Sequence, residues 1–201
     1  MFKKFFLSLL TLTVLIGGPL SFAEASSFAG ASLSPEKHSD QTSTFTLYLM
    51  RHAEKESQQA DPPLTIEGLA RATAVANFLA NKSIHSVYTT PYLRTQQTAE
   101  PLSRKLKKDS IEYNPRLLES FAQKLLTSQE SALIVGHSNT TPQLARLLGA
   151  REIPDMNEST FNWLIELTVN DGVVKWRVID TDNLLVTDDQ TDNPPLLQDK
   201  H

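Results

Sequence analysis

Two periodicities alternate along the chain. Apolar runs of strand length at 45–50, 86–89, 111–113 and 132–135 are each followed by a stretch with helical patterning. Thr65 is placed to cap a helix opening at Thr65-Ile66-Glu67-Gly68, with Leu69, Ala72, Ala76 and Leu79 as its core positions. Pro91 suits the first turn of a second helical region reaching Leu106, with Leu93, Ala99, Leu102 and Leu106 turned inward. Pro101 is expected to break or kink that region near Glu100. A third helix is expected over 117–126. The run Ala132-Leu133-Ile134-Val135 has no polar alternation, as in a parallel strand covered on both faces. The helix after it, over 141–148, stops at Gly149. Two runs, 161–169 and 173–179, flank Asn170-Asp171-Gly172, a β-hairpin signal. This order predicts an α/β fold: a three-layer α/β/α sandwich with a mostly parallel sheet and a C-terminal edge hairpin.

The ends of the chain are patterned differently. Lys3 and Lys4 precede an apolar stretch over 5–16, Gly17-Gly18-Pro19 interrupts it, and two small-residue cleavage sites follow, Ser21-Phe22-Ala23 and Ala23-Glu24-Ala25. Residues 1–25 therefore read as a secretory signal, too short in its apolar part for the ~20 residues of a spanning helix. An exported protein, periplasmic or secreted, with no stable membrane anchor after cleavage is the expectation. Residues 26–44 read as a flexible Ser/Ala/Thr-rich lead-in, 45–182 as the folded domain, and 183–201 as a polar tail.

Composition narrows the chemistry. The chain has no cysteine, which removes disulfides, thiolate nucleophiles and Cys-bearing zinc sites. Its net charge is −4 and no basic stripe is interleaved with aromatics, so nucleic acid is not an expected partner. The basic cluster Arg104, Lys105, Lys107 and Lys108 reads as the solvated end of a helix. His38, His85 and His201 have no motif around them.

Reactive residues collect where strands end. Arg51-His52 follows the first strand, Arg94 follows the second, and His137-Ser138-Asn139 follows the apolar run at 132–135. In an open parallel sheet these ends converge on one rim, where ligands bind. Two guanidiniums, two imidazoles and the amides of a helix start would make a pocket for an oxyanion such as phosphate. A neutral histidine there can act as nucleophile or base.

The stretches "YLMRHAEK", "DPPLTIEGLARA", "VYTTPYLRTQQTAEPL" and "ALIVGHSNT" together resemble the histidine phosphatase superfamily, the phosphoglycerate-mutase-like group, and in particular its small exported members. The resemblance implies a phosphatase in which His52 attacks phosphorus and becomes phosphohistidine. It implies that Arg51 and Arg94 bind phosphoryl oxygens, and that His137 stabilises their charge as a second catalytic histidine. Ser138 and Asn139 would contribute backbone donors and capping. It implies no metal and no other cofactor.

The general acid is open at this stage. Glu119 in "RLLES" resembles the carboxylate position of many relatives, although the residues after it depart from the usual glycine-containing continuation. Glu54 and Glu158 are alternatives, and a good leaving group needs no acid. The short segment between Arg94 and the strand at 132 leaves no room for a capping domain, so an open cleft is expected. Such a cleft suits a phosphorylated substrate such as a sugar phosphate, a glycolipid phosphate or a phosphoprotein, and Lys55 and Lys82 could add positive potential. A phosphate-binding module without turnover and a phosphoglycerate-type mutase are the rival readings. A metallohydrolase has no matching ligand spacing.

Overall fold

Strand β1 (Thr44–Arg51) is the axis of the fold: all of its residues from Leu47 onward are buried, so helices must cover both faces of the sheet around it. The computed structural model describes residues 44–185. They belong to one of two units, Asp40–His201; the other, Met1–Ser39, lies wholly outside the described residues. The predicted signal segment, the lead-in up to 43 and the tail from 186 lie outside them too.

The elements then follow as α1 (Ile66–Leu79), β2 (Ser86–Thr89), α2 (Leu93–Leu106), β3 (Ile111–Glu112), α3 (Leu118–Ser128), β4 (Ala132–Gly136), α4 (Thr140–Leu147), β5 (Trp163–Asn170), β6 (Val173–Asp180) and α5 (Asp182–Leu185). The sheet order is β3-β2-β4-β1-β5-β6, with β1 to β4 mutually parallel and β5 and β6 antiparallel. Helices α3 and α4 cover one face through Leu118, Phe121, Leu125, Leu144 and Leu148 against Leu47, Leu49 and Ile134. Helices α1 and α2 cover the other through Val75, Leu79, Ala99 and Leu102 against Met50, Leu133 and Val135. The three-layer α/β/α expectation holds. The hairpin supplies one sheet edge, and its turn places Asp171 and Gly172 at φ 49° and 76°, the positive pair a two-residue hairpin loop needs.

Four details differ from the sequence expectations. Leu69 is 45 % exposed and Arg71 is buried in its stead, because the inward stripe of α1 runs Gly68, Arg71, Ala72, Val75, Leu79. Arg71 is tolerated there because carboxylates neutralise it. Helix α2 begins at Leu93, capped on its Leu93 N–H by the Asp61 carboxylate, so Pro91 precedes it and Leu93 is exposed. It also runs through Pro101 without interruption. The boundary expected at 182 falls within α5, whose Leu184 packs against the α1–α2 side of the core.

Glycine is required at position 68, where a Cβ would lie 2.2 Å from the Glu54 carbonyl oxygen. That contact is backbone on both sides and has no flexible side chain to yield. Gly68→Ala is expected to destabilise the fold by about 1–3 kcal/mol, as overpacking does, with urea unfolding midpoints as the measurement.

Candidate active site

Parallel pairing of β1 with β4 sets Arg51 opposite Gly136, and the His52 N–H donates to the Gly136 carbonyl at 3.0 Å. Consequently His52 and His137 emerge side by side, their ring centroids 5.7 Å apart. Gly136 has no room for a side chain: a Cβ would meet the hydroxyls of Thr141 and Tyr113 at 2.9 Å each. Arg51, His52, Arg94, His137, Ser138 and Asn139 all line one cleft of about 380 Å³, as do Lys55, Tyr92, Pro115, Arg116, Thr140 and Glu158.

His52 is buried, and its Nδ1 lies 2.8 Å from the Ala53 carbonyl oxygen. A carbonyl can only accept, so Nδ1 carries the proton and a neutral His52 keeps its lone pair on Nε2. Burial pushes the His52 pKa down to about 3; the Ala53 bond opposes this, while the charges of Arg51 and Arg94 add to it. Burial, then Arg94 and Arg51, push His137 down to about 4. The His137 Nε2 lies 3.0 Å from the Thr90 hydroxyl, which also lies 3.0 Å from that of Thr95. That contact leaves Nδ1 as the His137 nitrogen for a ligand. The start of α4 is fixed by Thr140 Oγ1 accepting from the His137 N–H and by the Thr141 N–H donating to the His137 carbonyl.

Both arginines are oriented before any ligand arrives. Arg51 donates from Nη1 to the Asn157 carbonyl and from Nη2 to Glu158, at 3.0 and 2.9 Å, and its guanidinium lies 4.1 Å from the Phe161 ring centroid. Arg94 pairs with Asp61 at 3.3 Å and lies 4.3 Å from the ring centroid of Tyr92. Glu158 also accepts from the Ser138 hydroxyl at 2.9 Å. The Ser138 bond and then the Arg51 charge hold the Glu158 carboxyl below the usual carboxylate range.

The candidate acids separate cleanly. Glu119 is exposed in the first turn of α3 and is not among the residues lining the cleft, contrary to the expectation for it. The chain reaches the cleft one turn earlier, at Pro115 and Arg116, and Glu119 has already left it. Glu54 is engaged by Arg71, which donates to it from Nε at 2.9 Å and from Nη2 at 2.6 Å. Glu158 is the carboxylate at the cleft. Asn139 occupies the start of α4 but makes no side-chain capping bond; Thr140 supplies the bond at that turn. Lys55 lines the cleft, whereas Lys82 follows α1 and lies over Phe78. Thr90, Tyr92, Arg116 and Phe161 were not singled out in the sequence. Only Thr90 carried a signal, as a polar residue directly after a buried strand.

Residues 47–133 match the family model described as histidine phosphatase superfamily, branch 1. Over that stretch, less than half of its length, the chain is similar to that superfamily. The expected enzyme class, a phosphatase, agrees with this match. No curated protein matches the chain in sequence. Among solved structures, the protein histidine phosphatase SixA complexed with tungstate is 21 % identical with a TM-score of 0.55, covering 70 % of this chain and 99 % of that one. The α-ribazole phosphatase from Shigella flexneri is 18 % identical at TM-score 0.54, covering 68 % and 96 %. A mycobacterial glucosyl-3-phosphoglycerate phosphatase is 14 % identical at TM-score 0.50, covering 68 % and 98 %. At these identities the likeness is one of fold. Among the described residues no group of three or more His, Cys, Asp or Glu is arranged to hold a metal ion.

Both imidazoles are expected to stay neutral from about pH 8 to about pH 5, since an ordinary histidine titrates near 6.5 and burial disfavours the charged ring. Their NMR shifts should be flat across that range; a titration centred near 6.5 at either ring would contradict the geometry. The stability consequence has a definite sign. Unfolding releases rings that take up protons below about 6.5, so their contribution is complete above that value and declines as pH falls through it. Chemical denaturation at pH 7.5 and pH 5 measures it.

Proposed function

We propose that the chain is a metal-independent phosphohydrolase that works through a phosphohistidine on His52. The observation that carries this reading is the His52 Nδ1–Ala53 contact, which leaves Nε2 unprotonated in a cleft holding Arg51, Arg94 and His137. In the first step Nε2 bonds to phosphorus as the bond from phosphorus to the leaving group breaks. Arg51, Arg94 and His137 Nδ1 stabilise the charge spread over the three equatorial oxygens. In the second step water attacks the phosphohistidine, the P–N bond breaks, and inorganic phosphate leaves. Ser138 and Asn139 serve the phosphate through the backbone at the start of α4.

The acid sets the substrate range. Ser138 and Arg51 favour the ionised form of Glu158, the carboxylate in the cleft, as long as those contacts hold. Leaving groups that depart without protonation are therefore favoured, as in phosphoanhydrides and aryl phosphates. Lys55 and Arg116, neither ion-paired among the described residues, line the same cleft and favour a substrate with anionic character beyond its phosphoryl group. Together with the export expected from residues 1–25, this points to an extracytoplasmic phosphorylated protein, sugar or glycolipid as substrate.

Mature protein assayed on aryl phosphates with excess chelator tests the reading. Full activity in chelator and a loss of at least about 10³-fold in His52→Ala are expected. Activity should fall steeply as the leaving phenol becomes more basic, and Glu119→Gln should match the wild type throughout. Undiminished turnover in His52→Ala would remove the phosphohistidine. Absence of any turnover would leave a phosphate-binding module, and phosphate exchange between phosphoglycerates would reveal a mutase.

A further inference from the structure

The cleft is closed from behind by a ring of contacts that runs through the far end of the chain. Its first half starts at His52. The Ala53 carbonyl fixes Nδ1, and the N–H of the same residue, in the preceding peptide, donates to Thr98 Oγ1 at 3.0 Å. The next residue, Glu54, is held through its carbonyl by the Thr65 N–H at 2.9 Å and through its carboxylate by Arg71. Arg71 is 3 % exposed, and its Nη1 continues to Thr181 Oγ1 at 2.8 Å and to Asp182 Oδ1 at 2.6 Å. The second half returns to the cleft. Asp182 Oδ2 accepts from Asn162 Nδ2 at 3.2 Å, and the Thr181 N–H donates to the Asn162 carbonyl at 2.8 Å. Asn162 follows Phe161, whose ring stands over Arg51 and 6.1 Å from the His52 ring.

We propose that Asp182 is a positioning residue for phosphoryl transfer, coupling the peptide that aims His52 to the ring that covers Arg51. It touches neither substrate nor nucleophile. One carboxylate oxygen holds Arg71 and hence Glu54; the other holds Asn162 and hence Phe161. Arg71 has to be neutralised where it is buried, and Glu54 alone would satisfy its Nε–Nη2 edge while leaving Nη1 to Thr181. The second carboxylate links the two halves of the site beside the Thr181 contacts, shares Asn162 Nδ2 with Asp180 Oδ1 (3.0 Å), and sits on the segment that follows the last strand. An aiming error of an ångström at a nucleophile is costly in rate and leaves affinity nearly untouched.

The inference rests on the phosphohistidine reading for its kinetics, and one spectroscopic arm is independent of it. In Asp182→Ala, kcat on an aryl phosphate should fall about 10-fold with KM within about twofold, and phosphoenzyme formation should slow by the same factor. Asn162→Ala should show a smaller loss of the same kind, and Asp182→Glu should recover part of it. The His52 Nδ1–H resonance, protected by Ala53 in the wild type, should broaden and exchange faster with solvent in Asp182→Ala. If Asp182→Ala does not fold, Asp182→Asn carries the same measurements, since it retains an oxygen for Arg71 and alters the Asn162 contact. A folded variant with a lower melting temperature but wild-type kcat and an unchanged Nδ1–H would overturn the proposal, leaving Asp182 a purely structural residue. Failure of the wild type to form phosphohistidine would defeat the functional reading, while the Nδ1–H measurement would still decide the role of Asp182.

Discussion

The β1–β4 pairing is the constraint on which the site depends. Parallel strands finish at the same end of a sheet, and this register brings His52 to the carbonyl of Gly136, so the residues after both strands share one cleft. Parallel pairing needs a long crossover, and the chain between them supplies α1, β2, α2, β3 and α3. Those elements deliver the remaining parts on the way: Arg94 after β2, and Pro115 and Arg116 after β3. A one-residue slip of β1 would turn Leu47 and Leu49 to the face now occupied by Tyr48 and Met50, disrupting both core halves at once. Core packing therefore fixes the register, and the register fixes the histidine pair.

Much of this was legible in the residues because strand ends are marked by abrupt changes of polarity. Met50-Arg51-His52 and Val135-Gly136-His137 pass from fully buried aliphatics to cleft residues in one step, and such a step locates a strand end whatever lies around it. Arg71 and Glu119 were illegible for opposite reasons. Helical periodicity assigns a charged residue outward, and Arg71 breaks the rule because its partners, Glu54 and Asp182, come from distant parts of the chain. Glu119 was placed by likeness of a short motif, but whether a helix's first turn faces a cleft depends on the loop before it. Here that loop spends its approach on Pro115 and Arg116.

Burial does much of the electrostatic work. Two histidines beside two guanidiniums would be unstable if charged, and the desolvation that keeps them neutral also leaves His52 nucleophilic at ordinary pH. The guanidiniums keep their charge and hold rim carboxylates, Arg51 with Glu158 and Arg94 with Asp61. Each arginine is thus held in place by an acid drawn from another segment: Asp61 precedes α1, and Glu158 precedes β5.

That arrangement changes what Glu158 can be. A general acid must keep its proton at working pH, which calls for burial in apolar surroundings or a neighbouring negative charge. Glu158 has neither: its side chain is 85 % exposed, and Ser138 and Arg51 both favour its ionised form. A phosphoryl dianion entering beside Arg51 would lower its need for this carboxylate and repel it, while raising the affinity of Glu158 for a proton. Any acid role for Glu158 would thus begin only after substrate binds, once the contact that now keeps it ionised has been weakened. Until then its chemistry is that of a counter-ion. The leaving group meets a cleft whose positive charge stabilises a departing anion more readily than it supplies a proton.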